Sequence, residues 1–131
     1  MNLSKFEIAE GNKLIGDYMG IESFTHEGIQ WTGDLGNENL ETMKYHMSWD
    51  WLFDVIDKIN GLGKEYSFAT FKTYVALSVE KGGKVYKDFV FAHSEYITAE
   101  QTGREAAFKL IVKYIKWQNE INAEKDLEVT K

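Results

Sequence analysis

Residues 103–121 place the tightest constraint on what this chain can fold into. Their apolar side chains recur at helical spacing, with Phe108, Ile111 and Ile115 on one half of the wheel and Leu110, Tyr114, Trp117 and Ile121 on the other. Together they cover an arc of about 220°, leaving a narrow polar edge of Glu105, Lys109, Lys113, Lys116 and Glu120. A helix lying on one sheet face needs only about 100° of apolar surface. The surplus must meet another helix, the middle of the chain or a second chain. The pattern therefore predicts Leu110, Tyr114, Trp117 and Ile121 as an oligomer or partner face. Two capping boxes compete for the helix start, Thr98-Ala99-Glu100-Gln101 and Thr102-Gly103-Arg104-Glu105. The charged tail 123–131 is expected to fray.

Two further helices are predicted. Ser4 and Glu7 form a capping box for a helix over 5–19, which carries Ile8, Leu14, Ile15, Tyr18 and Met19 and stops at Gly20. Gly11 and Gly16 inside it each cost about 1 kcal/mol relative to alanine, so this helix depends on tertiary packing. Ser48 caps a helix over 49–60 whose stripe is Leu52, Val55, Ile56 and Ile59. Between these helices, Ile21 to Phe24, Gly28 to Trp31 and Lys44 to Met47 read as short strands, with a loop over 33–39. Phe68 to Val79 and Lys84 to Phe91 alternate as a hairpin around Lys81-Gly82-Gly83-Lys84. A three-residue loop sets Val79 opposite Val85 and Val75 opposite Phe89, collecting Val75, Leu77, Val79, Val85, Phe89 and Phe91 on one side. A two-residue turn would instead put Leu77 opposite Asp88. The expected fold is a single α+β domain: an antiparallel sheet of three to four strands with a central hairpin (about 68–92), packed by helices over about 5–19, 49–60 and 103–121. The second and third helices are expected on the Val75/Leu77/Val79/Phe89 face, with the first on the opposite side.

Composition removes whole classes of chemistry. With no cysteine, the chain has no disulfide, thiolate nucleophile or thiolate metal site. Its net charge of −6 argues against a broad phosphate-binding surface, so nucleic acid is not an expected partner. No apolar run is long enough to span a bilayer, which points to a cytoplasmic protein without membrane contact. Gly-rich phosphate loops, HExxH and GxSxG are absent, and no cofactor is implied.

Three blocks resemble a known family. They are Asn12-Lys13-Leu14-Ile15 with Tyr18-Met19-Gly20, Tyr45-His46-Met47-Ser48-Trp49-Asp50-Trp51-Leu52 continuing to Ile59, and Glu105-Ala106-Ala107-Phe108-Lys109 with Tyr114-Ile115-Lys116-Trp117-Gln118-Asn119. In order and spacing these resemble small uncharacterised phage and prophage proteins with an α/β sandwich domain. The resemblance implies a viral or mobile-element origin and a fold, and supplies no catalytic residues. Phe53-Asp54 stands where the family pattern has Met-Pro, and the segment 24–42 has no counterpart in it.

The candidate binding surface is His46, Trp49, Asp50 and Trp51: aromatic rings able to stack on a ligand, with His46 or Asp50 as polar anchor. The same residues also read as an ordinary helix start. Asp50, Asp54 and Asp57 form an acidic stripe on the second helix, and Lys109, Lys113 and Lys116 a basic strip on the third. His26, His46 and His93 show no metal-ligand spacing. The expectation is a non-enzymatic accessory protein that binds a host or viral macromolecule, with antagonism of a host defence as one such role, through a protein partner or as a homo-oligomer. The alternative is a protein that sequesters a small nucleotide-like ligand between aromatic side chains.

Overall fold

The computed structural model describes residues 3–20, 23–26, 29–32, 38–39, 44–81 and 88–129. In chain order the elements are α1 (Lys5–Tyr18), β1 (Ser23–His26), β2 (Ile29–Thr32), β3 (Glu38–Asn39), α2 (Trp49–Asn60), β4 (Tyr66–Thr70), β5 (Tyr74–Lys81), β6 (Asp88–Tyr96) and α3 (Gly103–Val129). The strands form two antiparallel three-stranded sheets, β1-β2-β3 and β4-β5-β6. The α+β class and the three helices are as the sequence predicts.

The caps form as their residues dictate. Ser4 Oγ accepts from Glu7 N–H (3.1 Å) and the Glu7 carboxylate accepts from Ser4 N–H (3.2 Å). Gly20 takes φ +75° just past α1, a conformation glycine adopts without steric cost. Both boxes before α3 are used. Thr98 Oγ accepts from the amides of Glu100 and Gln101 (3.1 Å each) in a turn, and Thr102 pairs with Glu105 as the helix cap (3.1 Å both ways). Ser48 precedes α2, yet its side chain makes no capping bond. α3 continues to Val129, eight residues beyond the expected end at Ile121.

Leu52, Val55, Ile56 and Ile59 of α2 are buried, as are Val75, Leu77, Val79 and Phe91 from the sheet and Phe108, Leu110, Ile111, Tyr114 and Ile115 from α3. Burying a set of this kind is the main force holding such a domain together. α2 packs against β4, and α3 against β5 and β6. α1 does not take the far side of the sheet: it packs on α3, whose other side lies on β5 and β6. Its buried stripe is Gly11, Asn12, Ile15 and Gly16, in which the two glycines let the helices close in. A Cβ on Gly11 would overlap Phe108 Cζ and lie 2.8 Å from Cε1, so the helix-weakening glycine is what admits the ring.

The sheet departs from expectation at three points. The single long strand expected over 68–79 is two strands, β4 and β5, turning at Phe71-Lys72-Thr73. The β5–β6 register is also shifted: Leu77 faces His93 and Val79 faces Phe91, not Val85. An irregularity between Val79 and Glu80 then puts Glu80 opposite Phe89, so one extra residue on β6 reverses the face of everything before it. Phe89 is therefore 57% exposed instead of joining the core, while the expected position of Val85 lies outside the described residues. Finally, Tyr45 to Met47 form a turn in place of the expected short strand.

Candidate functional site

Residues 45–51 are pulled apart by the start of α2. Tyr45 is buried, and Trp51 packs its edge against it with ring centroids 5.0 Å apart. Burial, with the Asp54 carboxylate as a smaller cause, pushes the Tyr45 phenol up to about 12. Trp49 points the other way, stacked on Phe53 at 5.6 Å and seated against Gly103 at the start of α3. Asp50 is exposed. His46 presents its ring to Phe108 at 6.0 Å and lines a cleft of about 260 Å³ with Leu3, Ile8, Met47, Arg104 and Glu105. Neither Trp49 nor Trp51 lines that cleft. Two tryptophans roughly 200° apart on one helix cannot flank a common ligand, and here each closes a separate junction. The four residues His46, Trp49, Asp50 and Trp51 are thus not assembled into one site.

The expected partner face is largely consumed within the chain. Leu110 and Tyr114 are fully buried, because α1 and the sheet close opposite sides of the wide α3 arc. Trp117 is half-buried, packed on Phe91 at 5.1 Å and Tyr114 at 6.0 Å, and Ile121 is also half-buried. A partner could reach only the last two. Burial also raises the phenol pKa of Tyr114, and that of Tyr18, which meets it edge-on at 5.9 Å. Lys58 of α2 donates to the Tyr18 carbonyl and sits 4.4 Å from its ring centre, fixing the C-terminal end of α1 with a cation.

The lysine strip is paired within the chain. Lys113 pairs with Glu95 at 2.6 Å, Lys116 with Glu10 at 3.1 Å, and Lys109 donates to the side-chain oxygen of Gln101. These lysines line a cleft of about 230 Å³ between α1 and α3, with Glu7, Glu10 and Glu95 facing them over Phe108 and Val112. Three lysines and three glutamates leave no surplus of positive charge for a phosphate. Among the described residues no three His, Asp or Glu side chains are grouped to hold a metal ion.

The most distinctive surface is one the sequence reading missed. With Val75, Leu77, Val79 and Phe91 turned to the helices, alternation sends Tyr74, Ala76, Ser78 and Glu80 of β5 to the other side. Ser67 and Ala69 of β4 and Phe89, Ala92, Ser94 and Tyr96 of β6 join them by register. None of the ten is buried. Glu80 is the only charged residue among them, although charged residues make up 27% of the chain. Aromatics mark one end: Phe71 stacks on Tyr74 at 4.6 Å, and Tyr74 meets its cross-strand partner Tyr96 at 6.4 Å. Phe71 is 49% exposed and Tyr96 66%. The signal was present in the sequence as alanine and serine at positions where a solvated strand face ordinarily carries long polar side chains.

Comparison with protein-family models, curated proteins and solved structures finds no match to this chain, so the resemblance to phage and prophage proteins rests on its three sequence blocks.

Proposed function

We propose that this chain is a non-catalytic interaction protein that docks a protein partner on the outer face of the β4–β5–β6 sheet. The observation that carries this reading is the composition of that face: nine of the ten strand residues named on it are uncharged, and Phe71, Tyr74 and Tyr96 rim one end. Aromatic enrichment with depletion of charge is the compositional mark of an interface core. The partner chemistry that fits is a protein surface with a small, uncharged centre. The resemblance to phage and prophage proteins supports a host or viral protein in that role, with interference in a host defence as one consequence. The balanced charge of the α1–α3 cleft weighs against the nucleotide-binding alternative.

The test is affinity capture with cross-linking, using the wild-type chain, Ala76→Arg at the centre of the outer face, and Asp54→Arg on the exposed side of α2. Loss of the same captured protein with Ala76→Arg alone supports the reading. Equal capture by all three overturns it, as does a saturable rise in melting temperature with a nucleotide, since a native-state ligand stabilises by mass action.

A further inference from the structure

β4 and β6 are the two edges of their sheet, and the molecule treats them differently. Ile97 N–H donates to the Thr73 carbonyl at 2.8 Å, which sets the phase of the β5–β6 ladder. By antiparallel alternation, Phe91, His93 and Glu95 then bond to β5, while Ala92, Ser94 and Tyr96 aim their N–H and C=O groups away from it. Phe71 N–H on the Tyr74 carbonyl (2.8 Å) sets the other ladder and turns Tyr66, Phe68 and Thr70 of β4 outward. The β4 edge is blocked: Gly63 O accepts from Tyr66 N–H (3.2 Å) and Asn60 Oδ1 from Phe68 N–H (2.9 Å). On β6 the corresponding device is Gln101 Nε2, which donates to the Tyr96 carbonyl at 2.8 Å. Among the described residues nothing equivalent covers Ala92 or Ser94, and both are exposed.

Edge strands are ordinarily blunted by lysine, by proline or by an overlying segment, because a free ladder is a template for another strand. From Phe89 to Ser94, β6 has neither lysine nor proline and no charge at all. Its irregularity lies toward the Phe89 end and leaves Phe91–Tyr96 in regular register with β5. His93 is exposed on the helix-facing side, so α3 does not overhang the edge there.

We propose that β6 pairs antiparallel with β6 of a second copy of this chain, Ala92 of each opposite Ser94 of the other, making one continuous six-stranded sheet. This register, unlike its neighbours, uses all four outward groups of Ala92 and Ser94 on each copy, and a twofold axis generates both pairs at once. That self-complementary register is what makes a second copy the occupant, and charge does not oppose it. Glu95 falls opposite the partner's Phe91, so no like charges meet. His93 falls opposite the partner's His93 in a non-hydrogen-bonded pair, where Cα atoms approach to about 4.5 Å. The pairing lies in the plane of the sheet, leaves the outer face open and does not rest on the function proposed above.

The cysteine-free chain makes the test clean. His93→Cys in the full-length protein should form a disulfide-linked dimer under diamide, because that separation lies within disulfide range. Ser67→Cys on β4 should not. Ala92→Pro removes an outward donor without touching a bond to β5, which an edge strand tolerates. Light scattering should show its mass halved relative to wild type, with an unchanged circular dichroism spectrum. A wild-type monomer throughout a concentration series overturns the proposal. So does a dimer in which His93→Cys fails to cross-link, whatever the fate of the proline variant.

Discussion

Replacing Gly11 by alanine tests how α1 is held against α3. Helix propensity alone favours the substitution by about 1 kcal/mol. Against that gain, the new Cβ would overlap Phe108 Cζ and approach Cε1 to 2.8 Å. Phe108 is only 2% exposed, so its ring has no solvent to move into and must displace packed neighbours. Overpacking of this kind costs about 1–3 kcal/mol. The net effect should be a loss of up to about 2 kcal/mol. For a domain of this size that lowers Tm by up to about 10 °C. Thermal and urea denaturation followed by circular dichroism would measure it. The diagnostic partner is Phe108→Leu, which shortens the side chain at the point of overlap. In that background Gly11→Ala should become neutral or stabilising, by up to about 1 kcal/mol, and the double-mutant cycle reports the coupling directly. A rise in Tm on adding Gly11→Ala to the wild-type chain would refute the close approach.

Asn60→Ala should cost about 1 kcal/mol and speed amide exchange at Phe68, because it removes the acceptor that blocks the β4 edge. Thr102→Ala should lower stability by about 1 kcal/mol through loss of the α3 cap, with little change in helix content. The Tyr45 phenol, pushed up to about 12, makes the folded chain hold a proton that the unfolded chain releases near 10. Its contribution is fully present below pH 10 and is lost as pH rises toward 12, at up to about 1.4 kcal/mol per pH unit. Urea denaturation at stepped alkaline pH, against Tyr45→Phe, should show the wild type losing stability more steeply over that interval.

Helices were the legible part of this fold, since their signals are local. Ser4 with Glu7, Thr102 with Glu105 and the Leu52/Val55/Ile56/Ile59 stripe each specify an element over one or two turns. The sheet was harder to read because register is set by partners far along the chain. One extra residue on β6 exposes Phe89, and the turn at Phe71 divides what alternation alone joined into one strand. The wide apolar arc of α3 demands two coverings, and the sheet and α1 supply them. That α1 supplies one of them follows from Gly11 and Gly16, whose small size registered in the sequence only as a helical penalty. Residues 46–51 are chemistry-bearing types, yet their geometry serves separate junctions. The outer sheet face is silent in the sequence, because alanine and serine carry no signal until a ladder places them side by side.

Residue-resolved amide hydrogen exchange, run in dilute and in concentrated protein, tests most directly whether the sheet ends in an open edge at β6. The amides of His93 and Glu95, bonded to β5, should be protected at every concentration. Those of Ala92 and Ser94 should exchange quickly in dilute solution and become protected as concentration rises. Protection of Ala92 and Ser94 equal to that of His93 at every dilution, or none even in concentrated protein, would contradict the account.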